Sequence, residues 1–94
     1  MGTNIDISIV VASYNHERYI EKALSSILMQ RTEYSYEVWI GDDASTDNTQ
    51  NILRSLEEKY PDNFHFILRC KNVGADANFK DLYSRTTGRY LAIL

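Results

Sequence analysis

Ile5-Asp6-Ile7-Ser8-Ile9-Val10-Val11-Ala12 decides the fold. The stretch is β-branched and almost continuously apolar at its end, the pattern of a strand covered on both faces. The period then switches. Beyond Asn15, the residues Ile20, Ala23, Leu24, Ile27 and Leu28 recur at helical spacing, so the strand feeds an amphipathic helix. The same switch repeats along the chain. Tyr36–Ile40 reads as a second strand, and Asp47 with Gln50 three residues on resembles a capping box. The helix behind it points Ile52, Leu53, Leu56 and Tyr60 inward and stops at Pro61. Phe64–Leu68 is a third strand. Asp76 is placed to cap a third helix with Phe79, Leu82, Tyr83 and Thr86 on one face and Gly88 as terminator. Tyr90–Leu94 is a fourth strand. The order β-α-β-α-β-α-β predicts right-handed crossovers and therefore an α/β fold, a Rossmann-like three-layer α/β/α arrangement around a parallel sheet. Residues 1–94 are expected to form a single domain. An apolar strand as the last element suggests the front part of a larger protein, and a bare strand edge there predicts self-association of the isolated piece.

Composition sets the remaining bounds. At 94 residues and 44% apolar, the chain suffices for one compact domain. No apolar run approaches the ~20 residues that span a bilayer, so no transmembrane segment is expected in it. Its first residues lack the basic-then-apolar signature of a signal peptide. The lone Cys70 cannot form an intrachain disulfide, which makes the reducing cytoplasm the default compartment. Thirteen acids against ten bases, with no basic block, argue against nucleic acid as a partner.

In open parallel sheets, ligands bind in the crevice outside the carboxyl ends of the strands. Three polar loops meet there: Ser13–Glu17, Asp42–Thr46 and Cys70–Ala77. Asp42-Asp43 is the sharpest feature, because at least one of two adjacent carboxylates after a strand should reach the crevice. A carboxylate there can accept hydrogen bonds from a base N–H or from ribose hydroxyls, which suits a nucleoside. The plainer alternative is one loop acid and one capping acid. Tyr14 is either a stacking ring or a packed surface ring, and Asn15 is either the cap of the first helix or a ligand contact. His16 and His65 have no metal-ligand partner at usable spacing and read as structural. Neither G-x-G-x-x-G nor G-x-x-x-x-G-K-[ST] occurs, and Asp42–Asp47 lacks the alternating oxygen ligands of a calcium loop.

Taken together, Ile9-Val10-Val11-Ala12-Ser13-Tyr14-Asn15 and Ile40-Gly41-Asp42-Asp43-Ala44-Ser45-Thr46-Asp47-Asn48-Thr49 resemble the opening motifs of family 2 glycosyltransferases of the GT-A fold. Asn72-Val73-Gly74, Asn78-Phe79 and Gly88-Arg89-Tyr90-Leu91-Ala92 resemble the later landmarks, so the likeness covers nearly the whole chain. It implies the N-terminal, nucleotide-sugar-binding part of such an enzyme, with strand one between strands two and four and strand three beyond two. It further implies a nucleoside-diphosphate sugar, a uridine one, bound by Ala12, Tyr14, Asn15, Asp42, Asp43, Asn72 and Asn78. Position by position, Asp43 would contact the base, Tyr14 pack on it, Asp42 support the site and the Ala12 backbone lie beside the base. Two departures stand out: Ala12 replaces a frequent Pro, and Ala77 stands where many members carry Arg, so no diphosphate contact carries over there. The family's divalent metal (Mn or Mg) motif and catalytic base fall beyond Leu94, which leaves Arg69 and Lys71 as the cations nearest the phosphates. The whole enzyme would transfer a sugar, with inversion, to a hydroxyl of a glycan or lipid-linked acceptor in polysaccharide or glycan synthesis, while the fragment alone would be inactive. The competing classes are a receiver-like signalling domain, which also carries paired acids but after its first strand, and a non-catalytic nucleotide-binding module.

Overall fold

The computed structural model describes residues 4–94. Its strands are β1 (Ile7–Ser13), β2 (Tyr36–Asp42), β3 (Phe64–Leu68) and β4 (Tyr90–Ile93), joined by helices α1 (Ile20–Leu28), α2 (Thr49–Glu57) and α3 (Ala75–Arg85). All pairings are parallel, as the alternation of elements predicts, and the order is β3-β2-β1-β4, as the family resemblance implies. Successive strand residues point to opposite faces. Ile9 and Val11 of β1, Val38 and Ile40 of β2, and Phe64 and Phe66 of β3 therefore share one face, where they pack with Ile20, Leu24 and Ile27 of α1 and Leu53 and Leu56 of α2. On the opposite face α3 lies across β1 and β2. Its buried pair, Asn78 and Leu82, sits over Gly41: a Cβ there would come within 2.6 Å of Asn78 Oδ1 and 2.8 Å of both Leu82 methyls. Gly41→Ala is expected to destabilise the fold by about 1–3 kcal/mol through overpacking; an unchanged denaturation midpoint would contradict this contact.

Several local expectations need correction. β1 starts later than Ile5 and runs one residue past Ala12, and β2 continues through Gly41 and Asp42, because the ladder extends to the pairs Ala12↔Gly41 and Ser13↔Asp42. None of the three expected side-chain caps forms: the N-caps are Tyr19, Asn48 and Gly74, without side-chain cap bonds. Each expected cap has another partner. Asn15 binds the β2–α2 loop, Asp47 holds Thr49, and Asp76 pairs with Lys80 at 3.0 Å. Gln50 donates to the Arg69 carbonyl instead of closing a capping box. On α3 the buried face is Asn78 and Leu82, whereas Tyr83 is exposed and stacks on Phe79 with ring centroids 6.2 Å apart.

A buried polar knot ties the α3–β4 connection to the sheet. The Ser8 hydroxyl donates to Glu37 Oε2 (2.6 Å), the Thr87 N–H donates to the same oxygen (2.7 Å), and the Gly88 N–H donates to Ser8 Oγ (2.7 Å). Burial alone would raise the Glu37 pKa, but the donors from Ser8 and Thr87 outweigh it and hold the carboxyl below the ordinary glutamate range. The sign follows directly. With a lower folded pKa, the stabilisation is complete above the ordinary glutamate value and is lost as pH falls through the lowered one. Glu37→Gln is expected to remove part of the acid-side loss of stability, read as a flatter dependence of denaturation midpoint on pH below the ordinary glutamate value.

β4 lies at the sheet edge with Tyr90, Leu91 and Ile93 exposed. No helix among the described residues is long and apolar enough to cross a membrane.

Candidate functional site

The carboxyl ends of β1 and β2 and the start of α3 enclose an open crevice of about 260 Å³. Ala12, Ser13, Tyr14 and His16 line one side, and Asp43, Asn72, Gly74, Ala75 and Asn78 the other.

The two adjacent acids part company because β2 alternates. Asp42 follows the parity of Val38 and Ile40 and is fully buried. Its Oδ1 accepts from the Ser13 hydroxyl (3.0 Å) and the Ser45 hydroxyl (2.6 Å), and its Oδ2 accepts from the Ser45 N–H (2.9 Å). It therefore braces two loops and does not line the crevice. Asp43 follows the parity of Gly41, beneath α3, and does line it. Its Oδ1 accepts the Val73 N–H (2.7 Å) and its Oδ2 the Gly74 N–H (3.0 Å), while its carbonyl accepts from the Asn72 side-chain amide (3.0 Å). Gly74 presents that N–H at φ 96°, a left-handed conformation that glycine adopts without strain. Each Asp43 oxygen thus spends one lone pair on the backbone and keeps another for a ligand.

Five of the expected site residues, Ala12, Tyr14, Asp43, Asn72 and Asn78, meet at the crevice; Asn15 and Asp42 lie behind it. Asn78 is almost wholly committed to the fold. Its Nδ2 donates to the Gly41 carbonyl (3.0 Å) and its Oδ1 accepts from Arg69 Nε (2.9 Å). Arg69 also binds Asp81 at 2.7 Å, so this cation is drawn to α3, away from the crevice lining. The Arg69 guanidinium hydrogen bond, helped by Arg85, holds the Asp81 carboxyl below its ordinary range. Sequence reasoning misses Ser13, Ala75 and, as a site residue, Gly74, and it reads His16 as structural. His16 borders the crevice, with its Nδ1 accepting from the Tyr14 N–H at 3.4 Å. A glycine before a helix start could have marked Gly74, whereas Ser13 shares the parity of Val11 and of its register partner Asp42, so strand alternation gives no sign of it.

Residues 8–94 match the family described as Glycosyl transferase family 2. The chain belongs to glycosyl transferase family 2. This family 2 chain is 51% identical over 87 residues to an uncharacterized protein of Mycobacterium tuberculosis, covering 93% of the chain and 25% of that relative. It is 36% identical over 88 residues to the Bacillus subtilis protein TuaG, provisionally named a teichuronic acid biosynthesis glycosyltransferase, covering 94% and 34% respectively. Among solved structures, S. aureus TarS 1-349 in complex with UDP superposes with a TM-score of 0.79 at 26% identity, covering 96% of this chain and 27% of TarS. The mannosyltransferase PcManGT from Pyrobaculum calidifontis, in complex with GDP-Man and Mn2+, gives 0.78 at 26% identity, covering 95% and 26%. The family 2 chain thus spans a quarter to a third of the length of these relatives. The match also removes the ground for the receiver-like alternative.

The family implies a divalent metal. Among the described residues no group of three or more His, Cys, Asp or Glu could hold one. The paired acids do not fit the task either, since they do not converge: Asp42 is braced by serine donors behind the crevice, and Asp43 alone lines it.

Proposed function

We propose that residues 1–94 are the donor-binding part of a larger inverting glycosyltransferase, and that the Asp43 crevice takes the nucleoside end of a nucleoside-diphosphate sugar. The observation that carries this reading is the carboxylate of Asp43, a residue only 3% exposed, fixed by two backbone N–H groups in a crevice that Tyr14, 44% exposed, also lines. A fixed anion next to an aromatic face suits a flat base that carries a ring N–H: the ring stacks while the N–H donates to the carboxylate. Uracil has one such imide N–H, which supports a uridine donor, and TarS binds UDP and UDP-GlcNAc in similar structures. Asn72, with its amide nitrogen committed to Asp43, keeps its Oδ1 as an acceptor on the same wall. Ala12, small and at the end of β1, leaves room for the base beside its backbone. The acceptor in this reading is a glycan or lipid-linked hydroxyl in cell-surface polymer synthesis, in line with the name of TuaG, and the work is done in the cytoplasm. Any Mn or Mg would take its ligands from outside the described residues, as would the catalytic base.

Calorimetric titration of the whole enzyme with UDP, GDP and acetyl phosphate tests the proposal. UDP is expected to bind best; uptake of acetyl phosphate with no response to either nucleotide would overturn it. The exposed β4 edge supports self-association of the isolated 94-residue chain, expected as a concentration-dependent mass in light scattering. A monodisperse monomer at high concentration would count against that.

A further inference from the structure

We infer that Asn15 is a positioning residue for Tyr14, acting through a hydrogen-bonded circuit that closes on Asp42, and that it makes no contact with the donor itself. The inference rests on the proposed function only in taking Tyr14 as the platform on which the base stacks. Tyr14 stands between two anchored neighbours. On one side, the Ser13 hydroxyl donates to Asp42 Oδ1 at 3.0 Å. On the other, the Asn15 N–H donates to Ser45 Oγ (2.8 Å), and the Ser45 hydroxyl donates to the same Asp42 oxygen (2.6 Å). Asn15 adds a second tie. Its Oδ1 accepts from the Thr46 N–H (2.8 Å), the Asp47 N–H (3.3 Å) and the Thr46 hydroxyl (3.3 Å), all on the loop that leads from Asp42 to α2. Asn15 does this at φ 54°, a left-handed conformation in which asparagine is among the few tolerated residues. Among the described residues the hydrogen bonds that hold Tyr14 run through the backbone: those of its two neighbours and its own N–H, which donates to His16 Nδ1 at 3.4 Å. Asn15 itself is absent from the crevice lining. Preorganising a stacking ring raises affinity by sparing the ligand the cost of ordering that loop.

A double-mutant cycle in the whole enzyme, read as UDP affinity by calorimetry, tests this. Asn15→Gly keeps the left-handed backbone and deletes the acceptor, and is expected to weaken UDP on the order of tenfold. Asn15→Asp keeps an acceptor oxygen and tolerates the same backbone, so it is expected to stay within about threefold of the parent. In a Tyr14→Ala background, Asn15→Gly should change affinity by less than about twofold, because the residue it positions is gone. Additive losses in the double variant, or an Asn15→Asp as weak as Asn15→Gly, would overturn the positioning role while leaving the donor site standing. If Tyr14→Ala alone left UDP affinity unchanged, Tyr14 would not be the platform, and both this role and that part of the proposed function would fall.

Discussion

Asparagine in place of Asp43 is expected to weaken uridine nucleotide binding by the whole enzyme about 10–150-fold. A hydrogen bond to a charged group is worth roughly 1.5–3 kcal/mol, which converts to that range. The substitution conserves shape, so the loss is chemical. An Asn amide has one oxygen where Asp43 has two, and both are held by backbone N–H donors from Val73 and Gly74. Whichever way the amide is turned, the new NH2 therefore faces one of those donors, and it also faces the ligand's donor if it takes the oxygen that the ligand uses. The control is Asp47→Asn. Asp47, on the β2–α2 loop and outside the crevice lining, serves Thr49 and Glu17, and burial raises its pKa less than the Thr49 hydroxyl, Thr49 N–H and Glu17 N–H lower it. Asn can keep the Thr49 bonds, so its effect on nucleotide affinity should be far smaller. Equal losses in the two variants would mean that the wrong acid has been assigned to the base.

The neighbouring acid should fail differently. Asp42→Ala strands three donors, two serine hydroxyls and the Ser45 N–H, at a fully buried position. A stranded buried donor costs about 1–3 kcal/mol, and because hydroxyls can rotate away the total is expected at about 2–5 kcal/mol. Urea denaturation should show a clear fall in midpoint for Asp42→Ala and a smaller one for Asp43→Asn. Calorimetry should show the reverse order of severity only for nucleotide binding at concentrations and temperatures where both variants are folded. An Asp42→Ala protein as stable as the parent would remove the bracing role of Asp42.

The sheet was legible because its information is local. Val10-Val11 and Phe64–Leu68 announce buried strands, and the 3.6-residue spacing of Leu24 with Ile27, or Leu53 with Leu56, announces what covers them. The loops were less legible because their partners are distant in sequence. Asn15 looks like a helix cap since asparagine suits caps, left-handed turns and backbone clasps through the same short amide, and only the β2–α2 loop 31 residues away selects among them. Asp42 and Asp43 do stand at the crevice end of β2, as their place after an apolar strand predicts, but their division of labour depends on which face each takes. Extending β2 by two residues would have exposed it, since Asp42 then falls in line with Ile40 and Asp43 with Gly41. Arg69 is a similar case: two residues past Ile67, it belongs to the α3 side, where Asn78 and Asp81 claim it. The Glu37 knot required the register Ser8↔Glu37, which no spacing within either strand reveals.

Whether Asp43 reads the base is tested most directly by removing the N–H hydrogen that the proposal assigns to it. UDP and its N3-methyl analogue differ at that one atom, and their affinities for the whole enzyme can be compared by calorimetry in the parent and in Asp43→Asn. The parent is expected to prefer UDP by at least about tenfold, and the preference should shrink to near unity in Asp43→Asn. Equal affinity of the parent for the two ligands would place the base elsewhere and contradict the assignment of the crevice.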